Sequence, residues 1–429
     1  MGITNNAIYY ERDERTPVTK LSIIFSGAGE QKETEETAGL ANITSKLLFR
    51  GTKQFTRDQI EKQFDLLGAS VSAAVSETEF IIRISAFSRN VNEVLHLVFR
   101  MLREADFPES EIEIIKKQEQ SRMRSTLQNN EDVLRYAHRF ILFNRKRIGK
   151  IGSAASLNNI TREKIQKYYQ QSVSADTVYV TAVSDLTETT LCEYLNPFLQ
   201  NRLRNGFTLG PETPYRQSTG REIFIAESTG APNDRLLWSH QGIEGNDPRR
   251  FALSMVLDAL GSFEGYLFDE LRNKNGWCYG VYAYLFPPTM RKSLIGYYSD
   301  PSNSTSQFLI PKLMELIETF QHSSEYLHRL RERKASFKNR YSYQLDINYK
   351  LTSRINRDKY GFQILDRNEY FNEIDSVTET MAAETIRQVF DLHNMTMIFY
   401  GDSHRISSII SKIDPAIPIT VFDKSDLIS

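Results

Sequence analysis

A faint internal repeat constrains this chain more than any other feature, because a chain that runs twice through one order of elements must fold as two units of like topology. The first copy predicts a strand at 19–26 (TKLSIIFS), helices at about 36–49 and 57–67, and paired strands at 69–75 (ASVSAAV) and 80–86 (FIIRISA). An amphipathic helix at 91–103, a charged helix at 109–127, helical stretches from Glu131 and over 162–171, and a β-rich run at 177–183 complete it. The second copy repeats the order: strands at 222–226 and 236–240, helices at 248–260 and 265–273, and strands at 276–285 and 293–299. A helix at 307–320, a charged helix from Glu325 to about Tyr343 and a closing strand at 395–400 follow. Asp247 is placed to cap the helix that Pro248 opens, and Asn275-Gly276 to stop the next one.

Between the copies, Gly206, Gly210, Pro211, Pro214 and Gly220 mark a linker. The expected organisation is a first domain over 1–204, a linker over 205–220 and a second domain over 221–429. Strands paired beside helices, without strict alternation, predict an α+β fold of two similar domains. Each carries a mostly antiparallel or mixed sheet with helices on one face.

Composition agrees with two packed domains: 40% of the 429 residues are hydrophobic and 25% charged, far from the signature of disorder. The 53 basic and 54 acidic side chains nearly cancel, so no overall field draws the chain to nucleic acid or an anionic membrane. The basic run 329–340 (RLRERKASFKNR) is interrupted by Glu332 and reads as a solvated helix face. Cys192 and Cys278 are too few for a disulfide framework or a four-cysteine zinc site. One bridge stays open; two buried free thiols are the expectation. No window approaches the ~20 apolar residues of a membrane span, and the opening residues lack an apolar leader core. Cytoplasm is the default compartment, and periplasm if a leader has been removed.

The run 39–52 reads GLANITSKLLFRGT. It resembles the first helix of the pitrilysin/insulinase-type zinc metallopeptidases, whose active members carry H-x-x-E-H inside a frame of the form G-L-A-H-F-L-E-H-M-L-F-K-G-T. In that motif two histidines at i and i+4 share a helix face and bind zinc, while the glutamate activates the metal-bound water. The corresponding residues here are Asn42, Ser45 and Lys46. An amide, a hydroxyl and an ammonium supply neither the imidazoles nor the base. The resemblance implies a third ligand on a later helix, near Arg122 and Met123 by spacing, with Glu119 about one turn away. Elsewhere, no two of the seven histidines stand three to five residues apart, so no helical zinc pair is expected, and no metal is expected on this chain.

A second segment, 266–279 (YLFDELRNKNGWCY), resembles the family form L-F-x-E-L-R-E-x-x-G-L-x-Y. The resemblance implies that Arg272 and Tyr279 reach the scissile region of a substrate. A guanidinium and a phenol can both donate to a peptide carbonyl, and such donors favour a developing oxyanion. The plainer reading is a cation at a helix C-terminus and one ring in an aromatic strand beside Trp277, Tyr282 and Tyr284. Just upstream, Gly261, Ser262, Phe263, Glu264 and Gly265 stand where the family has a glycine-rich substrate loop, although a tight helix connection also explains the two glycines.

The resemblance implies half of a peptidase clamshell, closed by a second chain around a chamber for unfolded peptides. A lost zinc motif with Arg272 and Tyr279 retained is similar to the non-catalytic member of a heterodimer. Its partner would be an H-x-x-E-H homologue of similar size holding the zinc. Two other roles stay open: a structural scaffold, as in the peptidase-like core proteins of the respiratory cytochrome bc complex, and a stand-alone peptide-binding or maturation factor. No G-x-S-x-G elbow points to an independent hydrolase.

Overall fold

The computed structural model describes residues 8–144, 152–173, 178–199, 214–286, 292–320, 322, 325–344 and 346–428. In the N-terminal half, strands β1 (Ile8–Arg12), β2 (Val18–Ser26), β3 (Ser70–Val75), β4 (Glu79–Phe87) and β5 (Val178–Ser184) form one sheet in the order β1-β5-β2-β4-β3. Only β1 and β5 run parallel. Its helices are α1 (Leu40–Leu47), α2 (Arg57–Leu66), α3 (Val91–Glu104), α4 (Glu109–Thr126), α5 (Asn130–Leu142), α6 (Ala154–Asn158), α7 (Arg162–Val173) and α8 (Glu188–Leu199).

The C-terminal half repeats the plan. Strands β6 (Glu222–Glu227), β7 (Arg235–Gln241), β8 (Cys278–Phe286), β9 (Leu294–Pro301), β10 (Thr396–Gly401) and β11 (Ile419–Phe422) are ordered β11-β6-β10-β7-β9-β8. With β11 set aside, β6, β10, β7, β9 and β8 take the places of β1, β5, β2, β4 and β3, so the repeat holds strand by strand. The helices here are α9 (Arg250–Gly261), α10 (Tyr266–Phe268), α11 (Ser306–Phe320), α12 (Glu325–Gln344), α13 (Ile347–Tyr360), α14 (Arg367–Ser376), α15 (Glu379–Val389) and α16 (Ser403–Ile413). The segment Arg250–Lys274 has the length and hydropathy of a membrane span, yet α9 forms part of the C-terminal core.

Most helices cover one face of their own sheet. Leu21, Ile23, Phe25, Ile82 and Val180 face α1 and α3 in the first half. Ile225, Leu236, Trp238 and Phe399 face α9 and α11 in the second. The opposite face of each sheet receives one helix from the other half. Helix α5 lays Val133, Leu134, Ala137 and Ile141 on Phe224, Leu237 and Ile398, and α13 lays Leu351 on Tyr9, Ile24 and Tyr179. Central strands buried on both faces read as apolar runs, as IIF in β2 and MIFY in β10 do.

Polar groups close the same exchange. Tyr9 Oη donates to Asp358 at 2.8 Å, and Arg354 donates to the Tyr10 carbonyl at 3.0 Å. Lys359 pairs with Glu79, which also accepts from Tyr179 Oη at 2.7 Å. His138 Nε2 and Ser239 Oγ stand 2.7 Å apart.

Three local expectations change. Helix α9 begins at Arg250, because Asp247 accepts from the Arg249 amide at 2.8 Å and holds a turn ahead of the helix. The basic run on α12 is not simply solvated: the Arg333 side chain is only 12% exposed, beside Asp258, and Arg340 donates to Asp258 at 2.6 Å. Cys278 is buried, whereas Cys192 is half-buried, and both are free. Residues 205–213 of the expected linker lie outside the described residues. Beyond them, Tyr215 packs against Phe143 and the Arg216 amide donates to the Leu142 carbonyl at 2.7 Å.

Candidate functional site

Helix α1 starts from Gly39, whose φ of 95° suits glycine. Glu33 accepts from the Gly39 and Ala41 amides at 3.1 and 2.6 Å, which satisfies donors that the first turn leaves open. Leu40, Ala41, Ile43, Thr44 and Leu47 are buried, which turns Asn42 and Lys46, one helical turn apart, toward α4.

The carboxylate that meets them is Glu119, only 3% exposed. Asn42 Nδ2 donates to its Oε2 at 3.0 Å, Arg122 Nε donates to the same oxygen at 2.9 Å, and Lys46 Nζ pairs with Oε1. Glu119, one turn before the expected position near Arg122 and Met123, is the carboxylate that faces Asn42 and Lys46; Arg122 is its counter-ion and Met123 is buried in the core. Ser45 is buried and donates to the Asn42 carbonyl at 2.8 Å.

Burial would raise the Glu119 carboxyl, but Lys46 and Arg122 outweigh it and hold the group below the usual carboxylate range. Burial acts against the Arg122 charge as well, and Glu119 and Tyr136 restore it. This donor set does not fit zinc. The metal needs three or four electron-pair donors, and here one carboxylate faces an amide and two cations. Among the described residues, no group of three or more His, Cys, Asp or Glu side chains is arranged to hold a metal.

The other half presents the second segment. After α10 the chain continues as a π-helical turn, Asp269–Lys274, and stops where Gly276 takes φ 67° and donates to the Arg272 carbonyl at 2.9 Å. Arg272 Nη1 donates to the Cys278 carbonyl at 2.9 Å, and its guanidinium carbon lies 5.8 Å from the Tyr279 ring centroid. Tyr279 is 76% exposed. The two side chains form one solvent-facing pair.

The loop from Gly261 to Gly265 is built by packing. A Cβ on Gly261 would lie 2.0 Å from the Ala283 amide nitrogen, so only glycine lets α9 approach β8 this closely. On Gly265 it would lie 2.7 Å from the Ser262 amide nitrogen. Arg329 and Arg333 grip the Glu264 carbonyl at 2.7 and 3.1 Å, while Phe263 is exposed with its ring 4.6 Å from that of Phe268. Arg329 also reaches Asp269 at 3.3 Å, tying this loop to the turn that carries Arg272. The Asn42–Lys46–Glu119 cluster stands apart: α1 packs mainly on β3, α4 and α7, all in the N-terminal half. Sequence reasoning missed Arg329 and Arg333 here, although their four-residue spacing puts them on one helix face.

Residues 7–150 match the family described as insulinase (peptidase family M16), and residues 159–334 match the peptidase M16 inactive domain. The chain belongs to the insulinase (M16) peptidase family. Within M16 it is a non-catalytic member, since its zinc-motif positions hold Asn42, Ser45 and Lys46.

Among M16 relatives, the chain is 23% identical over 248 residues to a probable mitochondrial-processing peptidase subunit beta of Arabidopsis thaliana, across 56% of this chain and 46% of that one. The match thus spans about half the length of the plant protein. It is 19% identical over 373 residues to an uncharacterized zinc protease of Bacillus subtilis, covering 86% and 89% of the two chains. Its fold is similar to a peptidase M16 inactive domain from Pseudomonas fluorescens, with a TM-score of 0.77 at 17% identity, over 92% of this chain and 95% of that one. The periplasmic protease PqqL of Escherichia coli superposes with a TM-score of 0.74 at 14% identity, over 97% of this chain but 50% of that one. The α+β two-domain architecture is that of an M16 clamshell half.

Proposed function

We propose that this chain is the non-catalytic subunit of a heterodimeric zinc metallopeptidase. In this reading a partner M16 chain of similar size supplies H-x-x-E-H and the zinc. This chain supplies one chamber wall and the Arg272–Tyr279 pair, which contacts an unfolded peptide. The observation that carries the reading is the contrast between the two halves. In the degenerate motif Lys46 forms an ion pair with Glu119, while Arg272 and Tyr279 stand side by side and exposed.

Two comparisons support the need for a second half. The similar Escherichia coli protease is a chain of which this one covers half, and the plant relative is named as a subunit. The guanidinium and phenol present N–H and O–H donors to solvent, the chemistry that binds a peptide carbonyl or an oxyanion formed from it.

The experiment is affinity capture of this chain from its native cells, followed by mass spectrometry of stoichiometric partners. Recovery of a homologue with an intact H-x-x-E-H motif supports the reading. Recovery of a homodimer points to a stand-alone peptide-binding factor, and recovery in a large assembly without such a homologue points to a scaffold.

A further inference from the structure

Strand β8 carries an irregularity where Tyr279 leaves the sheet. Cys278 pairs with Pro301 and Val281 with Ser299, so Tyr279 and Gly280 together oppose the single residue Asp300. Two residues against one is a β-bulge. Its effect shows in the burial: Cys278 and Val281, three residues apart, both lie in the core, which a strand of period two does not allow. Of the two residues between them, Gly280 is buried and Tyr279 turns out to solvent. A Cβ on Gly280 would lie 2.8 Å from the outer edge of the Tyr282 ring, which would have to shift to admit it.

A bulge removes backbone groups from the ladder, and these need other partners. The Gly280 amide donates to Asp300 Oδ1 at 2.8 Å. Ser299 Oγ donates to the Gly280 carbonyl at 2.9 Å, and Arg272 donates to the Cys278 carbonyl at 2.9 Å. Asp300 itself is 9% exposed. The buried carboxylate thus holds the Gly280 amide that the bulge turns away from the sheet.

We propose that Asp300 is a positioning residue for substrate contact: by binding the Gly280 amide it fixes the bulge that aims Tyr279 outward beside Arg272. This rests on the proposed role of the Arg272–Tyr279 pair. Asp300 touches no substrate. Its contribution is the direction of the Tyr279 ring.

The test uses the complex captured through this chain, with fluorescein-labelled denatured casein as substrate. Four chains are compared: Tyr279→Phe, Asp300→Leu, Asp300→Asn and the double variant Tyr279→Phe/Asp300→Leu. Tyr279→Phe lowers kcat/KM on the order of tenfold if the phenol donates to the substrate. Asp300→Leu is expected to lower it by a similar factor with the same split between kcat and KM. Asp300→Asn keeps an acceptor oxygen and recovers most of the activity. The double variant is expected to be no slower than the single ones, because both act through one ring.

If Tyr279→Phe slows turnover while Asp300→Leu matches the unaltered chain, or if the two losses multiply, the positioning role is overturned and the role of the pair survives. If neither variant changes turnover, the role of the pair fails and the positioning role fails with it. Should Asp300→Leu not fold, Ser299→Ala loosens the bulge from its other side. It must then lower kcat/KM in the unaltered chain but not in Tyr279→Phe; a loss in both overturns the proposal.

Discussion

The Lys46 ammonium rests on the buried Glu119 carboxylate, 73 positions along the chain, and so fixes a positive charge on the helix that carries the degenerate zinc motif. Arg122 and Asn42 complete the shell of that carboxylate. The cluster keeps a buried charge paired, which the fold requires whether or not any chemistry remains.

Lys46→Met is expected to destabilise the chain by about 1–3 kcal/mol at neutral pH, since Glu119 keeps Arg122 but loses its closest cation. The sign with pH follows from Glu119, which Lys46 and Arg122 hold below the usual range against the upward push of burial. A carboxyl depressed in the folded state stabilises the fold above its unfolded pKa and loses that contribution as pH falls through its folded pKa. In the variant burial is opposed by Arg122 alone. The gap between variant and unaltered chain therefore narrows as pH falls through the carboxylate range. Urea unfolding at neutral and acidic pH reads this directly, and a gap that widens in acid contradicts it.

Rebuilding the metal ligands is expected to succeed as binding. With Glu119 facing both positions, Asn42→His, Ser45→Glu and Lys46→His together supply two imidazoles and a carboxylate. The triple variant should gain thermal stability on zinc addition, by about 2.7 kcal/mol when free zinc is a hundredfold above Kd. The unaltered chain should gain none. Differential scanning fluorimetry with and without zinc decides it, and equal shifts in both chains contradict the assignment of Glu119.

Gly261→Ala is expected to cost about 1–3 kcal/mol, because the new methyl overlaps the Ala283 backbone. Thermal melts report the loss. A neutral effect would mean that α9 can draw back from β8, and the loop glycines would then not be set by packing.

Acid should weaken the fold through two buried imidazoles. Burial holds His138 down at about 3 and His240 at about 4, so both stay neutral in the folded chain while the unfolded chain takes up protons below the ordinary imidazole value. Stability is then complete above that value and falls as pH drops toward the folded values, by up to ~1.4 kcal/mol per pH unit for each histidine. His138→Gln cannot take up that proton, and the slope of unfolding free energy against pH should flatten by one histidine's share. An unchanged slope would assign the acid sensitivity elsewhere.

Much of this was legible in the sequence, and the rest was hidden for physical reasons. Strands β2 to β10 and helices α3, α4 and α11 announce themselves by period, and the frame around Asn42 and Lys46 carries the family resemblance. Strand β1 escaped because IYYER is half polar and pairs with β5 far along the chain; β11 is four residues long. The exchange of α5 and α13 cannot be read locally, since each is an ordinary amphipathic helix whose partner sheet belongs to the other half. Glu119 was within reach: Ile112, Ile115, Glu119 and Met123 follow the helical period, which puts a carboxylate on the buried stripe of α4. Asp300 was not, because its role depends on a register shift that only the paired strands reveal.

The central claim is that this chain completes a zinc peptidase whose metal it does not bind. Its most direct test is hydrolysis of denatured casein by the complex captured through this chain, measured with and without a zinc chelator, beside the recombinant chain alone. The account predicts chelator-sensitive hydrolysis in the complex and none from the isolated chain. An intact complex that hydrolyses nothing, or an isolated chain with chelator-sensitive activity of its own, would contradict it.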